Sequence, residues 1–128
     1  MATRRVTNGR PEWILDQRRF LTQPQLRRLL TKCCQCKSAQ RSQRRSANRA
    51  WFIVRLAAET GLRLKEIVEL NCGDLILRSE GSAVLVRYGK GGRRRLVHIR
   101  KEFSRDIDGY LRWKRQVGEE TQHDSPVL

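Results

Sequence analysis

Apolar and polar positions change their spacing several times along the chain, and each change marks an element. In "LTQPQLRRLLTKC", residues 21–33, Leu26, Leu29 and Leu30 form one stripe while Arg27 and Arg28 face out, which predicts an amphipathic helix. Its start is written locally. Thr22 can cap, Gln25 completes a Thr-x-x-Gln box, and Pro24 falls in the first turn, where a missing N–H costs little. "QCKSAQRSQRRSANR", residues 35–49, is poor in apolar side chains and predicts a loop or a frayed helix end. "AWFIVRLAAET", residues 50–60, is apolar almost all round and predicts a helix buried on most sides. Gly61 is placed to end that helix in the left-handed conformation. "RLKEIVEL" then reads as a short second helix with Leu64, Ile67, Val68 and Leu70 turned inward.

The period shortens after Asp74. "DLILRS", a Glu80-Gly81 turn and "AVLVRY" alternate and are rich in branched residues, "GKGG" is a glycine-rich turn, and "RRRLVHI" pairs back. "KEFSRDIDGYLRWKRQV" returns to helical spacing, with Phe103, Ile107, Tyr110, Leu111 and Lys114 on one face. The fold expected is α+β, mostly helical with a small three-stranded antiparallel sheet. Residues 1–17 show no periodicity and carry a Gly-Arg-Pro break, so they read as a basic leader to a domain over 18–128.

Charge narrows the choice of partner. The formal net charge is +15, an imbalance that points to a polyanion. It is uneven: residues 1–50 hold thirteen basic and two acidic side chains, and residues 51–128 hold fifteen and eleven. Arginine predominates, and its planar fork donates two parallel hydrogen bonds to phosphate. Nucleic acid is the expected partner: duplex DNA on either of the two readings that residues 57–71 admit, with self-association on the DNA left open and a basic RNA-associated protein as a weaker option. No apolar run is long enough for a membrane span and no apolar signal stretch opens the chain, so a cytoplasmic, nucleoid-associated protein is expected. Cys33, Cys34, Cys36 and Cys72 lack the two spaced pairs of a zinc site, and His98 and His123 stand alone. They read as reduced thiols, and no metal is expected.

The stretch "AAETGLRLKEIVELN", residues 57–71, admits two readings. One is a helix-turn-helix over 50–71, since Ala57, four residues before Gly61, and the apolar positions Leu56, Leu62, Ile67 and Leu70 fit that motif. Its recognition helix would offer Lys65 but also Glu66 and Glu69, which repel phosphate. The protein would then be a non-enzymatic DNA-binding module.

The other reading uses more of the chain. Thr60, Gly61, Leu62, Arg63 and Glu66, then Asp74, then the hairpin Gly89, Lys90, Gly91, and finally Val97, His98 and Ile99 follow in order. This sequence of motifs resembles the first half of the catalytic domain of tyrosine recombinases, the phage-integrase family. "RFLTQPQLRRLL" resembles the start of that domain, and the likeness covers residues 19–128. The resemblance implies a DNA breaking-rejoining fold, a 3′-phosphotyrosyl intermediate with release of a 5′ hydroxyl, and no metal, nucleotide or small-molecule cofactor. It makes Arg63 the first catalytic arginine, Lys90 the general acid that protonates the leaving oxygen, and Glu66 a partner that holds the Arg63 guanidinium. Departures are Lys65, where a small residue is usual, and Cys72, where a tryptophan is common. The family's His-x-x-Arg box, its second His or Trp and its nucleophilic Tyr have no counterpart before Leu128, so an incomplete, truncated domain that is inactive alone is expected.

Chemistry agrees with these assignments. Cleavage of a phosphodiester concentrates negative charge on the non-bridging oxygens, and a guanidinium meets them with two donors at any working pH. A helix start at Arg63 adds free amides and a positive dipole end. Glu66, three residues on, shares a helical face with Arg63, and a plain surface i,i+3 pair is the alternative. Lys90 on a glycine-rich tip suits a proton donor, the plainer alternative being a phosphate contact. Lys65, Arg93, Arg94, Arg95, Arg45 and Arg49 are the expected DNA-backbone contacts.

Overall fold

Thr22 and Gln25 start the first long helix as a reciprocal pair: the Thr22 amide donates to Gln25 Oε1 at 2.8 Å and the Gln25 amide to Thr22 Oγ1 at 3.4 Å. A computed structural model of the chain describes residues 4–7, 10–13, 20–37 and 44–128. Two short strands, β1 (Arg4–Thr7) and β2 (Arg10–Trp13), pair antiparallel with Arg4 opposite Trp13. The leader expected over 1–17 thus contains a hairpin that its irregular composition did not announce. The 17/18 boundary and residues 38–43 of the loop or frayed helix end expected over 35–49 lie outside the described residues.

Helix α1 (Gln23–Lys37) packs against α2 (Arg44–Thr60). The second helix starts at Arg44, earlier than the polar stretch over 35–49 suggested, because its first turns carry few apolar residues and only the later turns enter the core. Phe52 and Leu56 are fully buried, and the Phe52 ring stacks on Tyr110 with centroids 3.9 Å apart. Gly61, at φ +64°, ends α2 and donates its amide to Ala57 O at 2.9 Å. Helix α3 (Leu64–Val68) follows at once.

The three-stranded sheet has the order β3 (Leu75–Ile76), β4 (Ser82–Val86), β5 (Arg95–Ile99), antiparallel throughout. Val84 pairs with Leu75 on one side and Val97 on the other, and it is fully buried. The expected first strand is shorter than "DLILRS": Asp74 belongs to a 3₁₀ turn over Cys72–Asp74, and pairing with β4 stops after Ile76. Helix α4 (Lys101–Gln116) closes the core with Phe103, Ile107 and Tyr110. Val127 reaches the same core, and residues 123–127 run beside 70–73, with Val127 N–H on Leu70 O at 3.0 Å and Cys72 N–H on Ser125 O at 2.8 Å.

The inward face of α3 differs from the expected one. Ile67 and Leu70 are buried, but Leu64 is 71% exposed and Val68 60% exposed. Five residues make little more than one turn, so α3 presents a single narrow edge to the core. Glu66 occupies part of that edge.

Candidate nucleic-acid interface and catalytic residues

The turn between α2 and α3 places Arg63. Buried Leu62 anchors it, and Arg63 takes the N-cap position with φ −71° and ψ 151°. Its amide donates to Glu66 Oε2 at 2.9 Å. Arginine has no acceptor to return to the first-turn amides, so only half of a capping box forms. The Arg63 guanidinium is exposed, with no hydrogen-bond or ion-pair partner among the described residues. A five-residue helix aligns few peptide dipoles, so the field expected to reinforce Arg63 is small.

Glu66 does not hold the Arg63 guanidinium. Its side chain is 5% exposed and is gripped by Arg95, with Nη1 on Oε1 and Nη2 on Oε2, both at 2.9 Å. The Arg95 hydrogen bonds, helped by the Arg63 amide, pull the carboxyl down to about 2. The pairing occurs because Arg95 opens β5 directly beside the edge of α3. Arg95, expected on the DNA backbone with Arg93 and Arg94, therefore has both terminal nitrogens engaged by Glu66, with its side chain 43% exposed.

The hairpin joining β4 to β5 carries Lys90. Gly91 and Gly92 adopt φ +72° and +70°, and the Gly92 amide closes the tip on Gly89 O at 2.9 Å. Gly89 is required for another reason. A Cβ there would lie 2.8 Å from Arg93 O and 2.9 Å from Arg95 Nη1. The side chains of Lys90, Arg93 and Arg94 are exposed, with no hydrogen-bond or ion-pair partner among the described residues.

The other arm of the hairpin is pinned by Arg87, which reasoning from sequence overlooked. Its Nε donates to buried Asp74 at 3.0 Å and its Nη2 to Glu69 O, at the end of α3, at 2.9 Å. Asp74 also accepts the Asn71 amide at 2.9 Å. The aspartate that opens the first strand is thus a structural clamp between α3 and β4. A charged residue of each sign flanking the strand pair was the available signal.

Lys65 points outward from α3, 3.9 Å from Glu69 across one turn. Arg45 and Arg49 do not join this face. Arg45 Nη2 donates to Val117 O at 3.0 Å, and Arg49 pairs with Glu119, so both tie α2 to the end of α4. Their basic, polar neighbourhood in sequence hid an inward-leaning edge of α2. Lys114 is a further surprise. It is 3% exposed and donates to Pro126 O at 2.9 Å and Val127 O at 3.0 Å, with Glu119 at 3.2 Å. Cys72 is buried in the core and Cys33 and Cys34 are free, while the Cys36 side chain lies outside the described residues. No helix is long and apolar enough to cross a membrane among the described residues.

Among the described residues, four helices pack with the three-stranded antiparallel sheet in an arrangement that can be compared with solved structures. Two solved structures share it. XerH site-specific recombinase, in a post-cleavage complex bound to a palindromic difH substrate, matches with a TM-score of 0.62 at 18% identity, covering 84% of this chain and 28% of that one. XerA recombinase matches with a TM-score of 0.61 at 22% identity, covering 97% and 39%. The chain thus spans well under half the length of either. The model of the phage integrase family matches residues 19–124, and the chain belongs to that family. No curated protein matches it.

Proposed function

We propose that this chain supplies part of a site that cleaves and rejoins duplex DNA, with Arg63 and Lys90 acting on one phosphodiester. The observation that carries the reading is that the two elements bearing these exposed cations are joined by the Glu66–Arg95 pair. Arg63 would donate two N–H groups to the non-bridging oxygens as charge builds there. Lys90, on a tip with no other side chain but glycine, would give its proton to the leaving 5′ oxygen as the phosphorus–oxygen bond breaks. Glu66 serves by holding Arg95 and the Arg63 backbone, and so is a positioning residue. Arg93, Arg94 and Lys65 contact the DNA backbone, in a protein that works on DNA in the cytoplasm.

Neither tyrosine is assigned as nucleophile. Tyr110 is buried and donates to Val127 O at 3.1 Å, and burial pushes its phenol up to about 12. Tyr88 lies against the Arg87 guanidinium, 5.6 Å from ring centroid to carbon. These 128 residues alone should therefore bind DNA without forming a covalent adduct. The helix-turn-helix alternative gains little support, because α3 shows solvent only Leu64, Lys65, Val68 and Glu69.

The test is a duplex-DNA titration at several salt concentrations, with Arg63→Ala and Lys90→Gln beside the parent chain. Salt-dependent binding weakened by both substitutions supports the reading. A protein–DNA adduct formed by the 128-residue chain, or binding indifferent to both substitutions, would count against it.

A further inference from the structure

The Arg93–Arg95 run reads in sequence as three equivalent phosphate contacts, and the structure separates them. Arg93 and Arg94 project from the hairpin without partners among the described residues, whereas Arg95 faces Glu66. Two parallel bonds from a planar guanidinium to a carboxylate fix orientation as well as distance. Glu66 is itself buried at the edge of α3 and accepts from the Arg63 amide. Arg95 Nη1 also lies close to Gly89, where a Cβ would stand 2.9 Å from it, so the absence of a side chain there makes room for the guanidinium. Arg95 therefore links the α3 edge that carries the Arg63 amide to the base of the Lys90 hairpin.

The ladder gives the hairpin no other hold on that side. Pairing of β4 with β5 ends at Val86 opposite Arg95, and residues 87–94 overhang it. Within the overhang, the bonds from Gly89 N–H to Arg93 O at 3.0 Å and from Gly92 N–H to Gly89 O are internal to the loop. They shape the tip but do not aim it. Arg87 pins the far arm to the end of α3, which leaves the arm next to Arg63 to Arg95.

We propose that Arg95 is a positioning residue: gripped by Glu66 and close against Gly89, its guanidinium sets the Lys90 hairpin in a fixed relation to the Arg63 turn. The proposal rests on the DNA chemistry assigned to Arg63 and Lys90 and adds what holds the two together. A lysine at 95 keeps the charge but loses the two-point grip, since an ammonium is a point donor.

The 128-residue chain with Arg95→Lys, and separately Glu66→Gln, tests this by amide hydrogen exchange and by duplex-DNA titration crossed with Lys90→Gln. Both variants should speed exchange of the Gly89 and Gly92 amides roughly tenfold or more while amides of Phe52, Leu56 and Ile107 keep their rates. Lys90→Gln should weaken DNA binding in the parent and weaken it much less in the Arg95→Lys background, because Lys90 is no longer aimed. Acceleration spread evenly over the core amides would reduce Arg95 to a general stabiliser and overturn the proposal. So would equal losses from Lys90→Gln in both backgrounds, with Arg95→Lys acting as an independent phosphate contact. If the parent chain fails to bind duplex DNA, or Lys90→Gln leaves binding unchanged, the DNA-cleavage reading falls, and the exchange pattern alone decides the positioning role.

Discussion

Glu66 and Arg95 meet fork to fork across 29 residues of chain, two hydrogen bonds of 2.9 Å joining a buried carboxylate to the first residue of β5. The carboxyl, held down at about 2 from an ordinary 4.5, favours the folded state whenever it is ionised. Its contribution is complete above about pH 4.5 and is lost as pH falls towards 2. Urea midpoints measured across that window should decline for the parent chain and decline less for Glu66→Gln. Equal slopes would show that the pair does not respond to acid in this way.

Gly89→Ala should displace the hairpin. The backbone at this position, φ −77° and ψ −172°, suits alanine, so the cost comes from contacts alone. A methyl 2.8 Å from Arg93 O and 2.9 Å from Arg95 Nη1 must push one of them aside. A loss of about 1–3 kcal/mol is expected from overpacking of this kind. Thermal unfolding would measure it, and a neutral substitution would mean that the loop yields freely.

Lys114→Met removes a buried ammonium that satisfies two carbonyls and faces Glu119. Pro126 O would lose the ammonium and Val127 O would keep only the Tyr110 hydroxyl, and a loss of about 3 kcal/mol is expected. Equilibrium urea unfolding checks it. The effect should exceed that of Lys65→Met, because Lys65 is exposed.

Arg93→Gln and Arg94→Gln should each lower the salt dependence of duplex binding by about one unit of slope, leaving stability unchanged. Arg45→Gln and Arg49→Gln should do the reverse, since their head groups are spent on Val117 O and Glu119. Salt-titrated binding beside thermal melts separates the two pairs. A lost slope for Arg49→Gln would return that residue to the DNA face.

What was legible from sequence is what is local. Thr22 with Gln25, Gly61 at a helix end, and the alternation from Ser82 to Ile99 state their own conformations, and the α+β order follows from them. Arg63 and Lys90 were singled out the same way, by motif, and the structure leaves both side chains exposed. Choices of partner through space were not legible. Glu66 had Arg63 three residues away, yet its carboxylate takes the Arg63 amide and the Arg95 guanidinium. Arg45 and Arg49 looked like free cations because the acceptors they use, at the end of α4, stand some seventy positions later. Leu64 and Val68 looked inward because apolar residues usually are, but a helix as short as α3 cannot turn two edges to one core.

Lys114 has a last consequence, for the alignment of α4. The apolar face of that helix, Phe103, Ile107 and Tyr110, repeats closely enough that a slide of one turn would exchange one large side chain for another. The ammonium has no such substitute. Moved by a turn, it would leave the carbonyls of Pro126 and Val127 and enter the apolar interior, where a charge without partners costs several kcal/mol. A single polar group thus acts as an index mark, permitting one setting of the helix against the core and excluding its neighbours.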